Sequence, residues 1–443
     1  MTEAIVTIVI VNYNGEHLLP ACLDAVARQD MPAGSYETIV VDNASRDASL
    51  ELLSREYPWV YTIANPRNDG FAGGNNVALE RVETPFVALL NNDAVPDPDW
   101  LRTLLATFDL PGGERTGAVT SKLVFMPRFL EVSLATDPFT PGPRDSRELG
   151  VRIYSLSVNG HDAFGETIWD GLAYPEENDG ARFRWTRGHG TAHVPVPERG
   201  KLSLKMRVAA ETLKPVELAW PGGSASFDVG FAAADVVIDL EGDAPRADVL
   251  NNAGGYINTA GFGGDRAFRV VDRGQFDTRQ PVFNACGAAV CFRMAALKQT
   301  GFFDEDFFLY YEDADLSWRL QSRGWAIMYE PAARVRHIHS ATSEEWSPLF
   351  TFHVERNRLL MLTKNASGRI LWVALALYLR DVVRGFGSIA KHGTSRARPA
   401  MSRVHVLASY LRFLPAAMRH RREIARTAVV SRRRLERRLT RID

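Results

Sequence analysis

The sequence predicts an α/β protein in which a mainly parallel sheet domain is interrupted by an all-β domain and followed by a helical end. Residues 5–125 alternate apolar, strand-like runs with helix-like spacing, the signature of βαβ units. Between residues 128 and 250 Pro and Gly become frequent, and short alternating segments suggest a sandwich-like β domain. Beyond Ser347 the pattern is helical to the end. At 443 residues the chain exceeds what one hydrophobic core usually supports. The expected division is 1–127, 128–250, 251–346 and 347–443.

In order, the apolar β-branched run 5–11 predicts a strand buried on both faces. A helix over 18–28 follows, then a strand at 38–41, a helix at 49–55, a strand at 60–63, a helix through 77–80 and a strand at 86–90. Parallel strands place the loops after them along one edge, where ligands of such sheets bind. Polar clusters stand at those strand ends: Asn12-Tyr13-Asn14-Gly15, Asp42-Asn43-Ala44-Ser45 and Asn91-Asn92-Asp93. The stretch 65–76, with Gly70, Gly73 and Gly74, reads as a loop that lets backbone approach a ligand. It lacks the G-x-G-x-x-G spacing of a dinucleotide fingerprint. The mixed pattern resumes after Asn284 with strands at 288–292, 326–329 and 334–337 and a helix over 312–323.

Composition narrows the function class. With 46% hydrophobic residues and a net charge of −1, the chain is globular and offers no overall electrostatic case for nucleic acid. Three cysteines without a C-x-x-C pair fit a reducing cytoplasm. No signal peptide and no membrane-spanning run is read.

A buried strand ending in Asn91-Asn92-Asp93 presents a hard oxygen ligand suited to Mg²⁺ or Mn²⁺ beside substrate phosphates; the same residues also make ordinary turns. Glu312, Asp313 and Asp315 open a helix, where the dipole favours acids, yet a carboxylate flanked by aromatics is also how a general base is placed. His337 and His339, two apart on a strand, share a face and would complete a metal site.

These pieces, with Asn68-Asp69-Gly70-Phe71-Ala72-Gly73-Gly74-Asn75-Asn76, Gly301-Phe302-Phe303-Asp304-Glu305 and Tyr311-Glu312-Asp313-Ala314-Asp315-Leu316-Ser317-Trp318-Arg319, resemble in order the inverting glycosyltransferases of family 2, nearest the bacterial rhamnosyltransferase-like branch. The resemblance covers about 4–125 and 250–345. It implies the GT-A fold, a Rossmann-like nucleotide-binding domain with a mixed sheet, and a nucleoside diphosphate sugar as donor. Asp313 would be the catalytic base, and Asp93, Asn91 and His337 the metal site. Asn12, Asn14, Asp42, Asn68, Gly73, Asn75, Asn92 and Glu312 would bind substrate, with Asp315 and Arg319 shaping the acceptor side. The Q-x-x-R-W motif of processive members is missing, since Gln321-Ser322-Arg323-Gly324-Trp325 is only superficially similar. A saccharide or polyprenyl-linked acceptor and few-step transfer in cell-envelope glycan synthesis are implied. A nucleotidyltransferase and a non-catalytic carbohydrate-binding protein are the rival readings.

Two segments lie outside the resemblance. Trp169, Trp185 and Trp220 of the insert would either stack on sugars or fill its core. Residues 370–379 are apolar all round, and residues 419–443 carry ten Arg against three acids, a local excess of +7. The helical end therefore reads either as a packed element or as a peripheral contact with the inner face of the cell membrane.

Overall fold

The computed structural model describes residues 3–143, 145–172, 175–178, 180–240, 244–338, 347–392 and 397–441, with side chains described outside 387–400. The chain divides into two compact units, one of residues 1–124, 250–268 and 274–443, the other of residues 125–249 and 269–273. Residues 347–443 fall in the first unit.

The first unit opens with β1 (Val6–Asn12), α1 (Leu19–Ala27), β2 (Tyr36–Asp42), α2 (Ser49–Glu56), β3 (Tyr61–Ala64), α3 (Gly70–Leu79), β4 (Phe86–Leu90), β5 (Ala94–Pro96), α4 (Trp100–Phe108) and β6 (Thr116–Phe125). β1 pairs in parallel with β2 and β4, and β2 with β3. The strand Ala289–Arg293 enters antiparallel between β4 and β6, and Val249–Asn252 runs antiparallel to β6. The sheet is thus mixed, as expected. β1 is buried on both faces because alternate side chains serve two cores. Ile8 and Ile10 pack with Leu19, Leu23 and Trp100, while Val9 packs with Val41, Leu89 and Phe292. Each such aliphatic contributes about 1.5–3 kcal/mol relative to exposure.

The stretch read as an open glycine loop is largely helix α3. Its glycines permit close packing: a Cβ on Gly74 would stand 2.7 Å from a Val11 methyl, and one on Gly70 (φ +68°) 2.3 Å from the Phe308 carbonyl oxygen. They bring a helix onto the sheet and the preceding loop onto residue 308, rather than a ligand onto bare backbone.

The remaining α-helices are α5 (Met294–Thr300), α6 (Glu312–Ser322), α7 (Pro348–Asn365), α8 (Gly368–His392), α9 (Ala397–Thr427) and α10 (Arg432–Glu436). Trp318 of α6 and Phe307 before it share one core with Leu359, Leu360 and Leu362 of α7, Tyr378 of α8 and Tyr410 of α9. That shared core is why residues 347–443 join the first unit. Three arginines of the basic tail are tied to the rest of the unit. Arg421 donates to the carbonyls of Thr363 (2.6 Å) and Ala366 (2.8 Å), Arg432 to that of Asn365 (3.1 Å), and Arg438 to Gln321 Oε1 (2.9 Å). Most of these acceptors are the orphan carbonyls at the C-terminus of α7, where cations are favoured.

The second unit is a ten-stranded sheet that folds over on itself. In the long strand Ala181–Val196, residues 189–196 pair with Arg128–Thr136 while Arg184 and Trp185 pair with Arg152–Val158. Leu130, Val132, Val216 and Leu218 from one half enclose a core with Leu156, Leu204, Met206 and Val208 from the other, the layering of a sandwich. Trp185 is buried against Leu149 and Phe183, and Trp169 and Trp220 pack on the main core. These aromatics fill the domain.

A buried ion cluster joins α6 to α7 and α9. Asp315 accepts from Lys364 Nζ (2.7 Å), Asn365 Nδ2 (2.7 Å) and Arg319 Nε (2.8 Å), and Lys364 also donates to Asp304 Oδ2 (2.6 Å), which faces His420 Nδ1 at 3.1 Å. Burial alone would raise both carboxyls, but Lys364 with Arg319 at Asp315, and Lys364 with His420 at Asp304, hold them below the usual range. Removing one partner strands a buried charge, so Asp315→Asn should cost about 3–5 kcal/mol, read as a shift in denaturant midpoint at constant m-value. Because both carboxyls are held low in the folded chain, the unfolded chain takes up protons first. The stability they confer is complete above the ordinary carboxylate pKa of about 4 and declines as pH falls below it, which thermal melts across pH 3–7 would register.

Candidate active site

The site is assembled at the C-terminal ends of the parallel strands. Asn12 ends β1 and Asp42 ends β2, paired directly in register. Asn12 Nδ2 donates to Asp42 Oδ1 (3.1 Å), Asp42 Oδ2 accepts from the Ser45 amide (3.0 Å), and Asn92 Nδ2 donates to Asn12 Oδ1 (2.8 Å). All three are buried. Gly15 is required beside them, since a Cβ there would stand 2.3 Å from both Asn12 Oδ1 and Asn92 Nδ2. Asn14, at φ 51°, accepts from the Arg46 amide (2.8 Å) and so shapes the loop after β1.

Asn68 and Asn75 turn inward. Asn68 Oδ1 accepts from Asn43 Nδ2 (3.0 Å) and the Gly70 amide, while Asn75 donates to the Phe71 carbonyl within its own helix (2.8 Å). Gly73 is buried, with the Asp69 side chain 2.6 Å from where its Cβ would lie. These three positions build the wall of the site. Asn76, which the sequence reading left out of the site, ties α3 to the later segment by donating to the Phe303 carbonyl (2.9 Å) and Glu305 Oε1 (3.1 Å).

Asp93 lies just beyond β4, and His337 ends the strand Ala326–His337, whose last residue pairs with Ala94. Their side chains are buried, with His337 Nε2 3.2 Å from Asp93 Oδ1. Asn91 Nδ2 stands 3.4 Å from the same nitrogen. The other ring nitrogen, Nδ1, faces Asn251 Oδ1 at 3.0 Å. An amide oxygen there requires Nδ1 to carry hydrogen, so Nε2 serves either as a proton donor to Asp93 or as a cation ligand beside it. Among the described residues no group of three or more His, Cys, Asp or Glu converges. A carboxylate and an oriented imidazole nevertheless fit a divalent cation whose remaining ligands are waters and phosphate oxygens. Asn251 had no sequence signal, because it lies 86 residues away along the chain. His339 lies outside the described residues.

Asp313 reaches the same edge through the segment before Ala289–Arg293. Its Oδ2 accepts from the Gly287 amide (3.2 Å) and its Oδ1 from the Ala314 amide (2.6 Å). Next to Gly287, the Ala288 carbonyl accepts from the Asn91 amide (2.9 Å), two residues from Asp93. Burial raises the Asp313 pKa to about 6 despite those amide bonds, and burial with the neighbouring Asp313 raises Glu312 well above its usual value. Asp315 and Arg319, one turn on, face away into the ion cluster, where Arg319 also donates to the carbonyls of Thr300, Gly301 and Phe302. They anchor α6; in this structure their bonds are to the protein rather than towards an acceptor. Gln321 and Trp325 are likewise bonded internally, to Phe283 and Gln299.

Immediately before α6, Phe308, Tyr310 and Tyr311 all have positive φ, from 62° to 70°, a costly conformation for bulky side chains. Asn357 of α7 holds that loop by donating to the carbonyls of Phe307, Leu309 and Tyr310 at 2.7–2.8 Å, and Arg356 donates to those of Asp306 and Phe307.

The family described as "Glycosyl transferase family 2" matches residues 7–114, and "Glycosyltransferase like family 2" matches residues 266–357. Glycosyltransferase AglE of Haloferax volcanii is 29% identical over 119 residues, covering 26% of this chain and 39% of that protein. The N-acetylglucosaminyl-diphospho-decaprenol L-rhamnosyltransferase of Mycobacterium tuberculosis is 34% identical over 128 residues, covering 28% and 39%. The matches thus span about two fifths of those relatives' length. A mannosyltransferase structure from Pyrobaculum calidifontis aligns over 96% of this chain and 87% of its own at 14% identity and a TM-score of 0.41. The two matched segments are those that fold together into the split sheet and carry Asp42, Asp93, Asp313 and His337, and it is over these segments that the chain is similar to glycosyltransferase family 2.

Proposed function

We propose that this chain is a metal-dependent, inverting glycosyltransferase that moves a sugar from a nucleoside diphosphate sugar to a hydroxyl of a saccharide or lipid-linked saccharide acceptor in cell-envelope glycan synthesis. The observation that carries the reading is Asp313, a half-buried carboxylate held by the Gly287 amide with its pKa raised to about 6, at the strand edge that also presents Asp93 and His337. A base with that pKa is deprotonated at neutral pH yet basic enough to assist a hydroxyl. The acceptor class rests on the names of the relatives, one of which acts on a decaprenol-linked substrate.

In this reading Asp313 takes the proton from the acceptor hydroxyl as its oxygen attacks the anomeric carbon. The bond from that carbon to the diphosphate breaks, and the nucleoside diphosphate departs from the opposite face. Asp93 and His337 would hold Mg²⁺ or Mn²⁺, which when bound neutralises charge on the diphosphate. Asn12, Asp42 and Asn92 form a rigid polar floor for the nucleotide. Glu312, its pKa pushed up by burial and by the neighbouring Asp313, holds its proton more tightly than a free glutamate.

Asp313→Asn should lower kcat by about 10²–10⁴-fold while calorimetric donor binding stays near wild type; a variant retaining a tenth of wild-type kcat would refute the base assignment. The same role predicts an acid limb in kcat/KM near pH 6, with activity rising as Asp313 loses its proton, so a flat profile from pH 5 to 8 would count against it. Asp93→Ala should weaken Mn²⁺-dependent donor binding at least about tenfold, checked by metal titration. Identifying the released product separates this reaction from nucleotidyl transfer, which would yield pyrophosphate.

A further inference from the structure

Helix α8 is amphipathic in an unusual sense. Ala374, Tyr378 and Val382 face the core shared with α7 and α9. A face about 110° round the helix from that one is apolar as well as exposed: Trp372 is 71% exposed, Val383 69%, Leu379 47% and Phe386 45%. At 100° per residue these side chains form one stripe with Ala376 between them. Arg369, Arg380 and Arg384 run along one flank of that stripe, all exposed. Asp381 is the helix's only acid, 3.1 Å from Arg380.

We propose that this face of α8 is the surface by which the chain lies on an anionic lipid bilayer, with the Trp372–Val383 stripe in the interface and the flanking arginines at the headgroups. An apolar stripe beside a row of cations matches the layering of acyl chains below anionic phosphates. Arginine side chains are long enough to reach the headgroups from a helix lying in the plane. A second copy of the chain fits less well, because an antiparallel two-fold pairing of this face would bring both sets of arginines together and a parallel one would leave them without counter-charges from this face. Spanning is ruled out for the described helices, none of which is long and apolar enough to cross a membrane. The proposed contact resides in one exposed helix face, while Arg421 and Arg432 of the tail cap α7 and Arg438 bonds Gln321 of α6. The proposal does not rest on the catalytic assignment.

The test is co-sedimentation of the full chain with phosphatidylcholine vesicles and with vesicles that also contain phosphatidylglycerol. The wild type should partition to the anionic vesicles and be released by salt. The double variant Trp372→Ser, Val383→Ser should lose at least tenfold in partitioning, and Arg380→Gln, Arg384→Gln about thirtyfold. Both pairs are exposed, so thermal midpoints should match wild type and show that loss of binding is not loss of fold. Failure of the wild type to bind anionic vesicles would overturn the proposal, as would equal binding by both variants. So would a dimer in sedimentation velocity that Trp372→Ser, Val383→Ser dissociates, which would make a second copy the occupant.

Discussion

The interaction on which the site depends is the ion pair between Asp315 and Lys364, buried where α6 meets α7. A lysine with no water around it must be matched by carboxylates, and Asp315 and Asp304 supply them from α6 and from the segment before it. The pairing sets where α6 starts. Asp313 is two residues from Asp315, so its carboxylate is aimed by the same constraint. The three left-handed residues before α6 are sustained by α7 too, through Asn357. A loop at that conformational cost persists only where its surroundings over-determine it.

The C-terminal helices are therefore part of the catalytic unit's rigidity. They provide Lys364, Asn357 and His420, and in return the tail arginines satisfy the carbonyl end of α7. The insert makes no such demand. The chain leaves the first unit at the end of β6 and returns at Val249–Asn252, where Leu250 pairs with Val124. Because departure and return are neighbours on one pair of strands, a whole β domain is accommodated without breaking the sheet.

Much of the arrangement was legible in the amino-acid order because it is local. Continuous apolar runs with helices between them mean a sheet buried on both faces, and parallel pairing then puts Asn12, Asp42 and Asp93 at one edge. Less legible was any residue acting across the fold. Asn251 faces His337 over 86 positions, and Gly287 meets Asp313 over 26 through a backbone amide that every residue type possesses. The glycines of α3 misled for a physical reason: glycine both opens a loop and closes a helix–strand gap, and only the neighbour, Val11 or Phe308, distinguishes the two. Asp315 and Arg319 misled similarly, since a helix exposes different neighbours to positions two and six residues apart.

What the sequence by itself determined was the split α/β plan, the inserted β domain and the set of carboxylates at strand and helix ends, all of them consequences of periodicity and of short-range spacing. What only the tertiary structure decided was which of those charged groups face one another. Of three acids at the start of α6, Glu312 and Asp313 are raised by burial while Asp315 is held low by Lys364 and Arg319. The side chains are chemically alike, and their pKa is set by the dielectric and the partner that packing brings to them. The same applies to α8, whose apolar run 370–379 is open to a packed or an interfacial reading until the fold leaves Trp372 and Leu379 facing outward.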